Sequence, residues 1–201
     1  METDRTYTAF SGTRLIVSAD LKTVLLRIKH RFDEGDRALV LIFDDHTGKQ
    51  VDFDLRGTPE EMLARLPSHP LFTAAQTPRP GPGRPKLGVT SREVSLLPRH
   101  WEWLEKQPQG ISAVLRKLIE QAKRRDPDQE RAAIAREAAG NFMWAMGGNL
   151  PGFEEASRAF YAMDETRLEE LIRNWPEDVR RHLRRLLQIA AQLAVGNALR
   201  S

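Results

Sequence analysis

The 201-residue sequence contains no cysteine, which excludes disulfides, thiolate metal sites and cysteine nucleophiles together. No uninterrupted apolar run approaches the roughly 20 residues that a membrane-spanning helix needs. The first residues, METDRTYTAF, lack the basic-then-apolar order of a signal peptide. These absences set the expectation of a soluble, cytoplasmic protein with no membrane partner. There is no Gly-x-Ser-x-Gly elbow, so serine hydrolysis has no candidate nucleophile. The histidines, His30, His46, His69, His100 and His182, show neither i, i+4 pairing nor zinc-ligand spacing. Thr47-Gly48-Lys49 lacks the glycine-rich loop of a phosphate cradle. No catalytic residue, metal ligand or cofactor is assigned, and a non-enzymatic role is expected.

What the chain does have is an uneven distribution of charge. Residues 79–125 carry eleven Lys/Arg against four Asp/Glu, a local charge of +7. Residues 1–78 and 126–201 each carry ten against twelve, or −2, so the global +3 hides a basic centre between mildly acidic ends. A concentrated basic segment in a balanced chain points to a polyanionic partner.

The organisation reads as α+β, in four blocks. Residues 1–66 read as a small ββαββα domain. Thr6–Phe10 and Arg14–Ser18 form a hairpin about Gly12; Asp20 caps a helix with the apolar stripe Leu21, Val24, Leu25, Ile28 and Phe32. The apolar strand 38–43 turns through His46–Lys49 into an alternating strand Val51–Leu55, and Thr58-Pro59-Glu60-Glu61 is a capping box opening a helix. Residues 67–88 hold six of the twelve prolines and read as a flexible linker. Residues 89–125 read as strand, helix, helix. Residues 126–201 read as helical throughout, with a second capping box at Thr166 and Glu169 and a final helix marked by Val179, Leu183, Leu186, Leu187 and Ala190.

Within the basic centre, Gly83-Arg84-Pro85-Lys86 resembles the core of an AT-hook, with Pro82 where that element carries an arginine. Glycine lets the backbone approach a minor-groove floor, proline keeps the chain extended, and Arg84 meets the strongest negative potential. Ser91–Leu97, Pro98–Gln107 and Ile111–Lys123 resemble a ribbon-helix-helix unit. That resemblance implies a homodimer whose two-stranded ribbon enters the major groove of duplex DNA, with phosphates held where the second helix begins. The two resemblances together select Arg84 and Lys86, from the hook, for a groove, and Arg92, Ser95 and Arg99 at the ribbon with Gly110 and Ser112 for a phosphate, from the strand-helix-helix unit. With Val94 and Leu96 turned inward, Glu93 faces outward beside Ser91 and Ser95, and a carboxylate there suits cytosine N4 better than a phosphate; in the opposite register Arg92, Val94 and Leu96 face out, polar at one position only.

Taken together, FSGTRLI, FDDHTGKQVDFDLRG, GRPKLGVTSREVSLLPRHWEWL and NLPGFEEASRAFYAMD make the chain similar, nearly end to end, to the bacterial family designated domain of unknown function 2239. That resemblance brings no activity, ligand or catalytic residue.

Three other features have blander readings. Asp44, Asp45, His46, Asp52 and Asp54 cluster at one hairpin and offer oxygens to a divalent ion, but their spacing fits no defined metal loop, so a solvated face is preferred. Met143, Trp144, Met146, Phe160, Tyr161 and Met163 read as core packing. Arg180, Arg181, Arg184 and Arg185 read as a solvated helix face. The expected function is a dimeric bacterial DNA-binding regulator. The alternatives are a dimerisation or protein-docking module using Trp101 and Trp103, and, more weakly, a metal-dependent enzyme at the aspartate hairpin.

Overall fold

A tight hairpin starts the fold. In the computed structural model, which describes residues 5–73, 92–125 and 127–198, strands β1 (Tyr7–Ser11) and β2 (Arg14–Ala19) pair antiparallel through a turn at Gly12 (φ +58°), with a register shift between Ala9 and Phe10. Helix α1 (Leu21–Asp33) follows, and Asp20 caps it as expected: one carboxylate oxygen accepts from the Thr23 amide at 3.1 Å and the other from its hydroxyl at 2.6 Å. Strand β3 (Val40–Asp44) returns alongside β1, and β4 (Lys49–Gln50) closes a four-stranded antiparallel sheet in the order β2-β1-β3-β4.

The expected strand Val51–Leu55 does not form. The Val51 amide still donates to the Ile42 carbonyl at 2.8 Å, and the ladder stops there. Beyond it the aspartates bond locally: Asp52 accepts from Gln50, and Asp54 accepts from both the amide and the guanidinium of Arg56. Short polar side chains that satisfy neighbouring backbone in this way compete with sheet pairing. Helix α2 (Pro59–Arg65) then begins with the expected capping box. The Thr58 amide donates to Glu61 at 2.9 Å, and the Glu61 amide to the Thr58 hydroxyl at 3.3 Å. A 3-10 turn (Leu66–Ser68) and the short helix α3 (Pro70–Thr73) complete this stretch.

Helices α4 (Pro98–Glu105) and α5 (Ile111–Arg125) form the next ordered pair. They are followed by α6 (Pro127–Gly147), α7 (Phe153–Tyr161), α8 (Glu165–Ile172) and α9 (Glu177–Ala198). Asp164, not Thr166, caps α8: its carboxylate accepts from the Arg167 amide at 2.9 Å. Glu169, freed from any capping role, accepts instead from Arg184 on α9.

The chain groups into two compact units, 1–63 with 128–201, and 64–127. In the first, strand alternation sends Phe10 and Phe43 to one sheet face, where Phe142 of α6 meets both at ring separations of 5.5 and 5.2 Å. Met143, Ala156, Phe160, Leu168, Ile172, Trp175, Val179, Leu183 and Leu186 extend the same buried cluster through all four later helices. Tyr7, Ala9 and Ile42 point to the opposite sheet face, and α1 packs against β1 and β2 with Val24, Leu25 and Ile28 buried.

One backbone conformation in this unit costs stability. Met163 follows α7 at φ +58°, where its amide bonds the Phe160 carbonyl and the Asp164 amide bonds the Ala159 carbonyl, the double turn that glycine usually occupies. Glycine relieves about 1–2 kcal/mol of left-handed strain but loses about 0.4–1 kcal/mol through the freer unfolded chain. Met163→Gly is therefore expected to raise stability by about 0.5–1 kcal/mol, read as an upward shift in denaturation midpoint with unchanged m-value. A lower midpoint contradicts this account of the turn.

Candidate nucleic-acid interface and a buried polar clasp

The second unit holds those sequence-selected contact residues that lie within the described part of the chain. Pro98 starts α4, where its missing N–H leaves nothing unsatisfied, and Leu97 precedes it in an extended conformation (φ −64°, ψ 147°). The expected strand Ser91–Leu97 does not form over residues 92–97, where Val94 and Leu97 lie exposed rather than packed on a sheet face. Arg92, Ser95 and Arg99 are all exposed, as is Glu93. Arg84 and Lys86 lie outside the described residues.

Gly110 takes φ +76° and opens α5, its carbonyl accepting from the amides of Ala113 and Val114 at 3.1 Å each. The Ile111 and Ser112 amides belong to the first helical turn, whose donors have no intrahelical acceptor. A shallow groove of about 510 Å³ lies here, lined by Leu104, Glu105, Gln109, Gly110, Ser112 and Arg116 among others. Gly110 and Ser112 share this helix start with Arg116, whose guanidinium donates to the Ser112 carbonyl at 3.1 Å. Arg116 stands one helical turn beyond Ser112, a spacing that would have found it. Amides, a hydroxyl and a guanidinium at one helix start suit an anion, with Glu105 on the rim opposing it.

The helix pair buries little of its own apolar surface. Leu104 and Val114 are buried, while Val94 (58% exposed), Leu97, Trp103, Leu118 and Ile119 (56% exposed) face outward.

The aspartate hairpin belongs to the first unit and is the expected solvated face only in part. Asp44 and Asp45 are buried; Asp52 and Asp54 are exposed. Asp44 accepts from Arg5 Nε at 3.1 Å, from the Thr47 hydroxyl at 2.8 Å and from the His46 amide at 3.1 Å. Asp45 accepts through one oxygen from the hydroxyls of Thr6 and Thr8, at 2.7 and 3.0 Å, and from Arg185 of α9 at 2.6 Å. Arg185 also reaches Ser18 at 2.5 Å. The other Asp45 oxygen lies 3.3 Å from His182 Nε2, close enough for attraction but outside hydrogen-bond geometry, and the His182 ring rests on Phe142 at 4.5 Å.

Burial pushes both carboxyls up, and their polar contacts outweigh it. Arg5 and Thr47 bring Asp44 below the ordinary value; His182, Thr6 and Thr8 do the same for Asp45. On α9, Arg181 and Arg184 stay exposed as the solvated-face reading has it, paired with Glu177 and Glu169, while Arg185 departs from that reading and clasps the sheet. No group of three His, Asp or Glu side chains able to hold a metal ion occurs among the described residues. No described helix is long and apolar enough to cross a membrane.

The family model described as an uncharacterized protein conserved in bacteria (DUF2239) matches residues 6–187. No curated protein matches the chain, and no solved structure does.

Proposed function

Since the chain belongs to this uncharacterised bacterial family, we propose from its own residues that it is a dimeric DNA-binding regulator acting through the basic segment 79–125. One observation carries the reading: α4, α5 and the stretch just before them leave Val94, Leu97, Trp103, Leu118 and Ile119 exposed. A helix pair with so little buried surface completes its core by sharing it, and in a ribbon-helix-helix arrangement a second copy supplies the other half. The +7 charge of the segment supports a polyanion as ligand. Within this reading Arg92, Ser95 and Arg99 address the groove, Gly110, Ser112 and Arg116 hold a phosphate, and Arg84 and Lys86 add contacts from the preceding segment.

Titration with duplex DNA at several salt concentrations tests it. About four phosphate contacts give a log–log salt slope of about −3.6, and Arg84→Ala/Lys86→Ala flattens it to about −1.8. A flat response, or no binding at micromolar protein, sinks DNA recognition. A strictly monomeric mass by light scattering sinks the shared core. The exposure of Trp103, together with the unfavourable charge of Glu93, favours a second reading in which the segment docks a protein. A dimer or complex that forms without any DNA affinity selects it.

A further inference from the structure

Helices α6 and α7 run side by side in the first unit and leave an aromatic groove open to solvent. Phe153, at the start of α7, meets Trp144 edge-on at 5.0 Å and stacks on the buried Trp175 at 6.4 Å. At the other end of α7, the Tyr161 hydroxyl comes within 3.7 Å of where a side chain on Gly140 would begin. Gly140 and Trp144 stand one helical turn apart on the same face of α6. Trp144 and Tyr161 therefore border one furrow. Its Trp144 end encloses about 660 Å³ and is lined by Trp144, Phe153, Glu154, Glu155, Ser157 and Arg158 among others.

Two large side chains stay uncovered along it, Trp144 at 59% and Tyr161 at 66% exposure. Solitary exposed apolar residues are commonplace, but an exposed Trp and Tyr beside a buried aromatic stack have the composition of an interface centre.

The charge of the groove selects its occupant. Glu154 and Glu155 both line its Trp144 end; Arg158 lies 3.6 Å from Glu154, which leaves that end with a net negative charge, while Arg136 stands at the Tyr161 end with its guanidinium 4.9 Å over the Phe160 ring. Phosphates are repelled by such a rim. A guanidinium or ammonium group is attracted by the carboxylates and stabilised on an open indole face. We propose that the α6–α7 groove docks a basic peptide segment of a partner protein, with an arginine or lysine side chain laid against Trp144 between Glu154 and Glu155. This surface is independent of the nucleic-acid reading and uses none of its residues.

Fluorescence anisotropy of a capped, labelled peptide of arginine–glycine repeats, titrated with the full chain at low salt, tests the proposal. The wild type is expected to bind saturably. Glu154→Gln/Glu155→Gln and Trp144→Ala are each expected to weaken binding by about tenfold. If Trp144→Ala fails to fold, the exposed glutamate pair decides alone. Equal affinity across the variants, absence of saturation, or equal binding of a glutamate–glycine peptide overturns the proposal.

Discussion

Gly48→Ala is expected to destabilise the first unit by about 3–5 kcal/mol, measured by chemical denaturation, or to prevent its folding. Two independent penalties combine. Gly48 lies at φ +64°, where a Cβ costs about 1–2 kcal/mol. That Cβ would also stand 1.9 Å from the Ala138 carbonyl oxygen and 2.6 Å from its carbon. Those atoms are the backbone of α6, held by the burial of Ala138, Ala139 and Phe142, and cannot give as a flexible side chain would. The turn is pinned there from the other side too, since Asn141 donates to the Thr47 carbonyl at 2.9 Å. Gly12→Ala is the matched control. Its φ is +58°, and nothing lies within 4 Å of the added carbon, so only the conformational penalty of about 1–2 kcal/mol remains. Equal costs at the two positions would mean that the hairpin turn does not rest on α6.

The second large effect is expected at Asp45. Asp45→Asn removes the charge that Arg185 and the Thr6 and Thr8 hydroxyls converge on, at a cost of about 2–4 kcal/mol; the partial exposure of Arg185 keeps it toward the lower end. The pH dependence has a definite sign. Asp45 and Asp44 both have pKa values lowered from 3.8, so the folded state binds their protons less readily than the unfolded chain does. Their contribution is fully present above the unfolded value and is lost as pH falls through the lower folded values. The urea midpoint of the wild type should therefore drop on acidification below about pH 4. Asp45→Asn starts lower and loses less over that window. A variant whose acid limb matches the wild type's would show that the carboxylate is not held as described.

Local structure was the readable part of this sequence. The first hairpin, the Asp20 cap, the Thr58–Glu61 box and the Pro98 helix start all follow from residues within a few positions of one another. Where two local chemistries compete, the pattern misleads. Asp52 and Asp54 alternate as a strand should, yet their oxygens capture nearby donors; Thr166 and Glu169 have the spacing of a box, but Asp164 stands earlier and takes the cap. Contacts between distant segments had no signal at all. Periodicity says that Phe10, Phe43 and Leu183 are buried, not that they are buried against one another. The same blindness hid the Asp45–Arg185 pair, which joins residues 140 positions apart. For the candidate interface, the helix start at Gly110 and Ser112 was visible because its chemistry is local. The strand expected before α4 is the part that failed, since residues 92–97 form none.

The discontinuous first unit sets an order of events during synthesis. Phe10 and Phe43 leave the ribosome early, but the helix carrying Phe142 follows only after the whole of 64–127 has been made. At about 5–20 residues per second, the gap of about 100 residues between Phe43 and Phe142 takes roughly 5–20 s. Throughout that interval the nascent sheet displays a naked aromatic face. The α4–α5 pair is complete before the sheet that precedes it can close. A chain stopped anywhere before α9 carries a sheet without its clasp, so the N-terminal hairpins and the C-terminal helices are expected to survive in the cell only as one uninterrupted product.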